Sequence, residues 1–166
     1  MLLISEETAI ALVDAATAQK VVLDAMHAHA HGRVGLSEPR SMYLRDGNNG
    51  GYYHVKGAFL ADPGIAGFRL NGFPPSRASS KQFQAILLTD LVSTMPLALV
   101  GTDALSTLRV GAAIALAVEW LKASTAETLA LIGTGRLARA AVTAIQMASP
   151  DLLPTICLDV EKRRGC

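Results

Sequence analysis

The order of apolar and polar positions predicts two helices followed by a series of short strands. An apolar run at residues 2–4 predicts a strand, and the acidic residues that follow Ser5 predict the start of a helix. Apolar residues at helical spacing predict a longer helix over residues 15–31, capped by Asp14 and ended by Gly32.

Residues 41–101 are typical of a meander of β-strands. Residues 41–45 and 52–60 flank a turn rich in Gly and Asn, which predicts a β-hairpin. In its second strand, the period of two places Tyr52, His54 and Lys56 on one face. Further strands are expected at 65–71, 82–89 and 96–100, with a loop from residue 72. This order predicts an α+β domain.

The last part of the chain has the pattern of a nucleotide-binding unit. A helix is expected over residues 104–123, then a linker at 124–127 and a strand at 128–132. The turn Gly-x-Gly-x-x-Ala follows, then a helix to about residue 148 and a strand at 155–159. A strand, a glycine turn and a helix in this order open a dinucleotide-binding βαβ unit. The alternative is a βαβ unit that binds no ligand.

The two glycines and the alanine of the turn each have a physical role in this interpretation. Gly133 permits the tight turn, Gly135 lets the backbone approach a pyrophosphate, and Ala138 keeps the helix close to the sheet. The helix N-terminus offers free N–H groups to the phosphates. Asp159 follows the second strand, where a carboxylate accepts hydrogen bonds from the ribose hydroxyls. This carboxylate favours NAD over NADP.

Composition and charge exclude several classes of protein. The chain has 166 residues, of which 51% are hydrophobic and 17% charged, with a net charge of +1. A large core is therefore available, and no basic surface for nucleic acid is expected. Arg109 and Glu119 interrupt the longest apolar zone, so we expect no membrane span. Cys157 and Cys166 are not expected to form a disulfide framework, which favours a cytoplasmic protein.

A cluster of three histidines and a single arginine were considered as binding sites. His27, His29 and His31 share a helix end, but no carboxylate or cysteine lies at ligand spacing, so no metal site is predicted. Arg109 falls in the first turns of a helix, where a cation is unfavourable unless an anion is also bound there. The alternative, an Arg109 that turns to solvent or to Asp103, stays open.

Taken together, the motifs resemble the ornithine cyclodeaminase/μ-crystallin family. The matching segments are Pro39-Arg40, residues 54–57 (His-Val-Lys-Gly), residues 84–90, residues 95–98, residues 105–113 and residues 131–135. The likeness covers essentially the whole chain, but only about half of a typical family member. We therefore expect a truncated chain that is inactive by itself.

The resemblance implies a fold, a cofactor and partners. It implies an α+β substrate-binding and dimerisation domain at residues 1–123. At residues 124–166 it implies the β-α-β start of a Rossmann domain that binds NAD, with NADP less favoured. A small amino or imino acid is the expected substrate, and a homodimer is expected for the full-length protein.

The resemblance also assigns residues to roles. Arg40, Lys56 and Arg109 match the cations that bind the substrate, and Lys56 is assigned to the carboxylate or the reacting centre. We expect all three to converge on one pocket that opens toward the glycine turn. The cofactor residues implied are Gly133, Thr134, Gly135, Arg136, Leu137 and Asp159.

The implied reaction is the NAD-dependent conversion of L-ornithine to L-proline and ammonia. The alternatives are an imino-acid reductase or alanine dehydrogenase, and a μ-crystallin-like protein that binds NADPH and a small ligand. Two departures from the family pattern stand out. Val110 and Gly111 replace the usual Thr and Ala, and the family's catalytic Asp belongs to a region beyond residue 166.

Overall fold

The computed structural model describes residues 1–45, 47, 50–75 and 82–158, with side chains as far as residue 153. Its helices are α1 (Glu6–Leu12), α2 (Ala15–Ala30), α3 (Asp103–Leu121) and α4 (Arg136–Ala148). Its strands are β1 (Leu2–Ile4), β2 (Val34–Leu36), β3 (Met42–Arg45), β4 (Tyr52–Leu60), β5 (Ile65–Phe73), β6 (Phe83–Asp90), β7 (Pro96–Gly101), β8 (Thr128–Ile132) and β9 (Leu153–Leu158). These residues divide into two compact units.

The first unit contains residues 1–12 and 25–104 and is built on a mixed sheet. The strand order is β1-β7-β6-β5-β4-β2, and β3 also pairs with β4. Only β1 and β7 run parallel, and the other pairs are antiparallel. The predicted hairpin is present as β3 and β4. The meander expected from the sequence is therefore the centre of this sheet.

The sheet differs from the expected one at two places. Strand β2 was not predicted, because its three residues are too few to show a periodic pattern. Strand β5 runs to Phe73 rather than Asn71, so the loop expected from residue 72 was wrong. Gly72 and Phe73 continue the ladder because they pair with Tyr53 and Tyr52 of β4.

Local side-chain hydrogen bonds set the ends of several elements. The Oδ1 atom of Asp14 accepts a hydrogen bond from the backbone N of Thr17 (2.7 Å), which caps α2 as predicted. The same helix ends before Gly32, whose φ of 69° suits the left-handed region. At the start of α3, the backbone N of Ala104 donates to Oε1 of Glu6 (2.9 Å). The carboxylate of α1 therefore caps α3.

The second unit contains residues 13–24 and 105–166. Strands β8 and β9 pair in parallel with α4 between them in sequence, so the predicted βαβ unit is present. The buried cluster here includes Ala115, Ala144, Ile145 and Leu152. Within the same unit, the side-chain amide of Gln19 donates to the carbonyl of Ala144 (2.8 Å) and ties the first part of α2 to α4.

Helix α3 is long and apolar enough to pass a length-and-composition test for a membrane span. Its buried residues are Gly111, Ala112, Ala115 and Leu116. They are all small or apolar, and Ala115 belongs to the core cluster with residues of α4. The apolar composition of α3 is accounted for in part by this packing.

Helices α3 and α4 approach each other closely at Gly111. A Cβ atom at Gly111 would lie 2.6 Å from the carbonyl oxygen and 2.9 Å from the carbonyl carbon of Ala140. Both atoms belong to the backbone of α4, so they cannot move aside as a side chain can. The close approach of the two helices therefore requires glycine at this position, where the resembled family usually has alanine.

We predict that Gly111→Ala lowers the free energy of unfolding by about 1–3 kcal/mol, as overpacking of a core does. The sign is diagnostic, because glycine to alanine in an unconstrained helix stabilises by up to about 1 kcal/mol. Urea denaturation followed by circular dichroism measures the change. The control is Gly135→Ala, since a Cβ there meets no atom within 4 Å. An unchanged or higher midpoint for Gly111→Ala contradicts the close approach.

Candidate functional site

The register of β4 and β5 places the polar residues of β4 on one sheet face. His54 lies opposite Asn71, and Lys56 lies opposite Arg69. Because directly paired residues of an antiparallel sheet share a face, these four side chains project to the same side. The face shared by His54 and Lys56 was predicted from the alternation in β4.

This face contains a cavity of about 470 Å³. Its charged lining residues are Arg40, Lys56 and Arg69. The other residues that line it are glycine or apolar: Leu36, Gly57, Ala58, Phe59, Leu60, Ile65, Gly67, Ile86 and Leu88. Among the described lining residues there is no carboxylate. The cavity is thus an apolar depression with positive charge alone.

Two of the three predicted substrate cations therefore line one cavity. Arg40 lies in the connection between β2 and β3, and Lys56 in β4. Arg69 was missed by sequence reasoning. The sequence placed Arg69 in a predicted strand but did not show that it lies opposite Lys56. That pairing depends on the register between two strands, which the pattern of one strand does not give.

Arg69 is held by neighbouring polar side chains. Its Nε donates to Oδ1 of Asn71 (3.0 Å), and its terminal nitrogen donates to Oε1 of Gln84 (2.8 Å). The amide nitrogen of Gln84 in turn donates to Oδ1 of Asp103 (2.8 Å). Asn71 is buried, with 7% of its surface exposed. These bonds orient the guanidinium before any ligand binds.

His54 reports the electrostatic potential of the same face. Burial lowers the pKa of His54 below its ordinary value, and the positive charges of Lys56 and Arg69 lower it further. Its Nε2 atom is buried and has no hydrogen-bond partner among the described residues. The ring stacks on Tyr43, with centroids 4.5 Å apart and planes 3° apart. A neutral imidazole is the expected state at neutral pH.

Aromatic rings continue beside His54. Tyr52 stacks on Phe73 with ring centroids 4.5 Å apart. The guanidinium carbon of Arg45 lies 5.1 Å from the ring centre of Tyr43 and 5.6 Å from that of Tyr52. The rings and the cation pack against one another at this end of the sheet, in geometries that are favourable for aromatic and cation–π contacts.

Residues of the predicted phosphate turn lie between β8 and α4. Gly133 has a φ of 102°, which only glycine adopts readily. Gly135 is the N-cap of α4 and no side chain caps the helix there. A second depression, of about 380 Å³, is lined by Thr134 and Arg139 together with Leu131, Ala138, Val142 and Thr143.

These residues fit a dinucleotide. An uncapped helix start presents backbone N–H groups that suit a phosphate. Packing does not require glycine at position 135, since a Cβ there meets no atom within 4 Å. A ligand that approaches the backbone at this position explains the glycine better than packing does. Arg136 and Leu137 form the first turn of α4.

The remaining candidates lie elsewhere or outside the described residues. Arg109 is an exposed residue of α3 in the second unit, so its convergence with Arg40 and Lys56 stays a prediction. Asp159 and Cys166 lie outside the described residues. The described residues contain no group of three or more metal-ligating side chains, and His27, His29 and His31 form none.

Solved structures with the same fold span about twice the length of this chain. A probable ornithine cyclodeaminase from Bordetella pertussis Tohama I is 21% identical (TM-score 0.84), with 96% of this chain and 49% of that chain covered. A Thermococcus litoralis Δ1-pyrroline-2-carboxylate reductase in complex with NADH and L-proline is 20% identical (TM-score 0.84; 96% and 50%). An archaeal alanine dehydrogenase dimer with bound NAD is 22% identical (TM-score 0.80; 90% and 46%).

Sequence comparison gives the family. No curated protein matches the chain significantly. The model of the ornithine cyclodeaminase/mu-crystallin family matches residues 1–159, which is nearly the whole chain. The resemblance inferred from the motifs is confirmed, and the chain belongs to the ornithine cyclodeaminase/mu-crystallin family.

Proposed function

We propose that this chain forms the substrate-binding part of an NAD-dependent enzyme that acts on 2-amino or 2-imino acids. The observation that carries the proposal is the cavity with Arg40 and Lys56 at its wall and no acidic lining residue among those described. Family membership and neighbours solved with NAD or NADH support the cofactor.

Arg40 and Lys56 are suited to bind the substrate carboxylate. A guanidinium binds a carboxylate through two parallel hydrogen bonds, and an ammonium adds a compact charge. The apolar walls exclude water from the aliphatic part of the substrate and strengthen the ion pairs. By resemblance, Arg109 is the third cation of this site.

The charge of the cavity favours imino-acid reduction over cyclisation of a diamino acid. Ornithine carries a second ammonium group, which the positive lining residues repel. A 2-imino acid with a neutral or anionic side chain meets no such penalty. We therefore propose a reductase first, and keep the conversion of L-ornithine to L-proline, the reaction that the resemblance implies, as the alternative.

In this proposal the chain's own residues position the reactants. When bound, the nicotinamide cofactor supplies or accepts the hydride. Arg40 holds the carboxylate so that the reacting carbon has one orientation. The Nζ atom of Lys56 donates a hydrogen bond to the carboxylate or to the imine nitrogen, which polarises the C=N bond. The phosphate turn and the N-terminus of α4 hold the pyrophosphate.

A homodimer is also proposed, formed through the sheet face opposite the cavity. The exposed apolar residues of this face include Leu3, Met42, Leu44, Tyr53, Phe68, Phe83 and Leu99, between 36% (Leu99) and 75% (Leu3) exposed. Such a continuous apolar face marks an interaction surface. The family resemblance and an archaeal neighbour described as a dimer favour a second copy of the chain as the occupant of this face.

A cytoplasmic location is also proposed, because the cysteines of the chain do not indicate a disulfide framework.

The carboxylate site is tested by titrating the chain with L-proline in a calorimeter. Arg40→Gln and Lys56→Gln should each weaken binding about tenfold, because a charge-assisted hydrogen bond is lost. Arg33→Gln is the control, since Arg33 pairs with exposed Asp62 and does not line the cavity. Wild-type affinity in both cavity variants would exclude the proposed site.

The cofactor preference is tested by fluorescence titration with NADH and NADPH. We expect tighter binding of NADH, and Asp159→Ala should weaken NADH more than NADPH, because the carboxylate binds the ribose hydroxyl and repels a 2′-phosphate. Asp151→Ala, an exposed acid in the turn before β9, controls for the change in charge. Equal weakening of both nucleotides would remove the ribose role of Asp159.

The dimer is tested by sedimentation velocity. Phe68→Glu should convert the dimer to a monomer, because a charge is desolvated at the centre of the interface. Val92→Glu is the matched control, since Val92 is 92% exposed in the β6–β7 turn, away from this face. A monomeric wild type, or a Phe68→Glu variant that sediments as the wild type does, would disprove the interface.

A further inference from the structure

The residues that line the cavity of the first unit are arranged in rows across the sheet. The first row carries charge, since Lys56 pairs with Arg69, and Arg69 pairs in turn with Ile86. The third row is Leu60 paired with Ile65. Along β4 and β5 successive rows lie two residues apart, a spacing of about 7 Å. The second row, between these two, is entirely apolar and consists of Leu36, Ala58, Gly67 and Leu88.

The second row has small residues at its centre and large ones at its ends. Ala58 and Gly67 lie on the two middle strands, between Leu36 and Leu88. Paired residues of an antiparallel sheet project to the same side, so the floor of the cavity is low at the centre and has a leucine on each side. These four residues form a trough, which extends from the charged row to the third row.

Gly67 is required neither by packing nor by its backbone conformation. A Cβ atom there would meet Cδ2 of Leu88 at 3.5 Å and Cγ2 of Ile86 at 3.6 Å, which are ordinary contacts. Its φ is not positive. Glycine inside a strand weakens the strand and often marks a place where a ligand or another backbone approaches closely. Among the described residues no such backbone approaches this position, so a ligand explains the glycine best.

The trough offers a ligand no hydrogen bond from a side chain. Among the described lining residues, only Arg40, Lys56 and Arg69 have polar side chains. A charged or hydroxylated group placed in the trough would lose its hydrogen bonds to water without replacement. An aliphatic group has none to lose, and it would cover apolar surface such as that of Leu36, which is 42% exposed.

We infer that the cavity binds a 2-amino or 2-imino acid whose side chain is neutral, aliphatic and longer than the methyl group of alanine. The inference rests on the proposed function, which places the carboxylate at Arg40 and Lys56, and it adds the substrate class. The side chain lies in the trough and points toward the third row. The volume of the cavity, about 470 Å³, is within the range of about 300–1,000 Å³ that is usual for small ligands.

The test is a calorimetric titration of the chain with L-alanine, L-2-aminobutyrate, L-norvaline and L-norleucine, which differ by one methylene group at each step. Binding should tighten about fourfold per step and about fiftyfold over the series, because each buried methylene contributes about 0.8 kcal/mol. L-norvaline should also bind more tightly than L-ornithine and L-glutamate, which have the same number of carbon atoms but a charged end.

Two variants fill the trough from neighbouring strands. Gly67→Val and Ala58→Leu should each leave the affinity for L-alanine within about twofold and reduce the advantage of L-norleucine to less than about fivefold, since the longer chain then overpacks the site. Retained binding of L-alanine shows that the variant is folded. Ala66→Val is the matched control in β5: residue 66 does not line the cavity and projects to the opposite face, so the series should be unchanged.

The outcomes separate this inference from the proposed function. If Arg40→Gln weakens every amino acid of the series but affinity does not rise with chain length, the aliphatic inference is wrong and the carboxylate site stands. The aliphatic inference is also wrong if L-ornithine or L-glutamate binds more tightly than L-norvaline, or if both trough variants keep the wild-type series. If Arg40→Gln weakens none of the ligands, the proposed function itself fails.

Discussion

The pairing of β4 with β5 is the constraint on which the candidate site depends. All nine residues of β4 pair with the nine of β5, from Tyr52 opposite Phe73 to Leu60 opposite Ile65. A slip of one residue would send Lys56 and His54 to the opposite face of the sheet. The register therefore determines which charges line the cavity and which apolar residues are left on the other side.

Polar side chains around Arg69 extend this constraint to the rest of the first unit. Asn71, Gln84 and Asp103 connect β5 and β6 to the beginning of α3 by hydrogen bonds. Glu6 reaches the same helix start from α1. Buried polar groups of this kind cost free energy unless they are paired, so the network specifies one arrangement of strands and helix ends.

Glycines of the second unit act for three separate reasons. Gly111 lets α3 approach α4, and a Cβ there would collide with backbone. Gly133 adopts a positive φ, which makes the turn after β8. Gly135 leaves open space at the start of α4, which suits a ligand. Glycine content alone does not distinguish these roles, since each depends on which atoms lie nearby.

The sequence by itself determined the local elements, the face of β4 that carries Lys56, and the family, because periodicity and turn residues act over a few neighbours. It identified Arg40 and Lys56 but missed β2 and Arg69. Only the tertiary structure decided that Arg69 faces Lys56 and that no acid lines the cavity among the described residues, since register is a relation between distant segments.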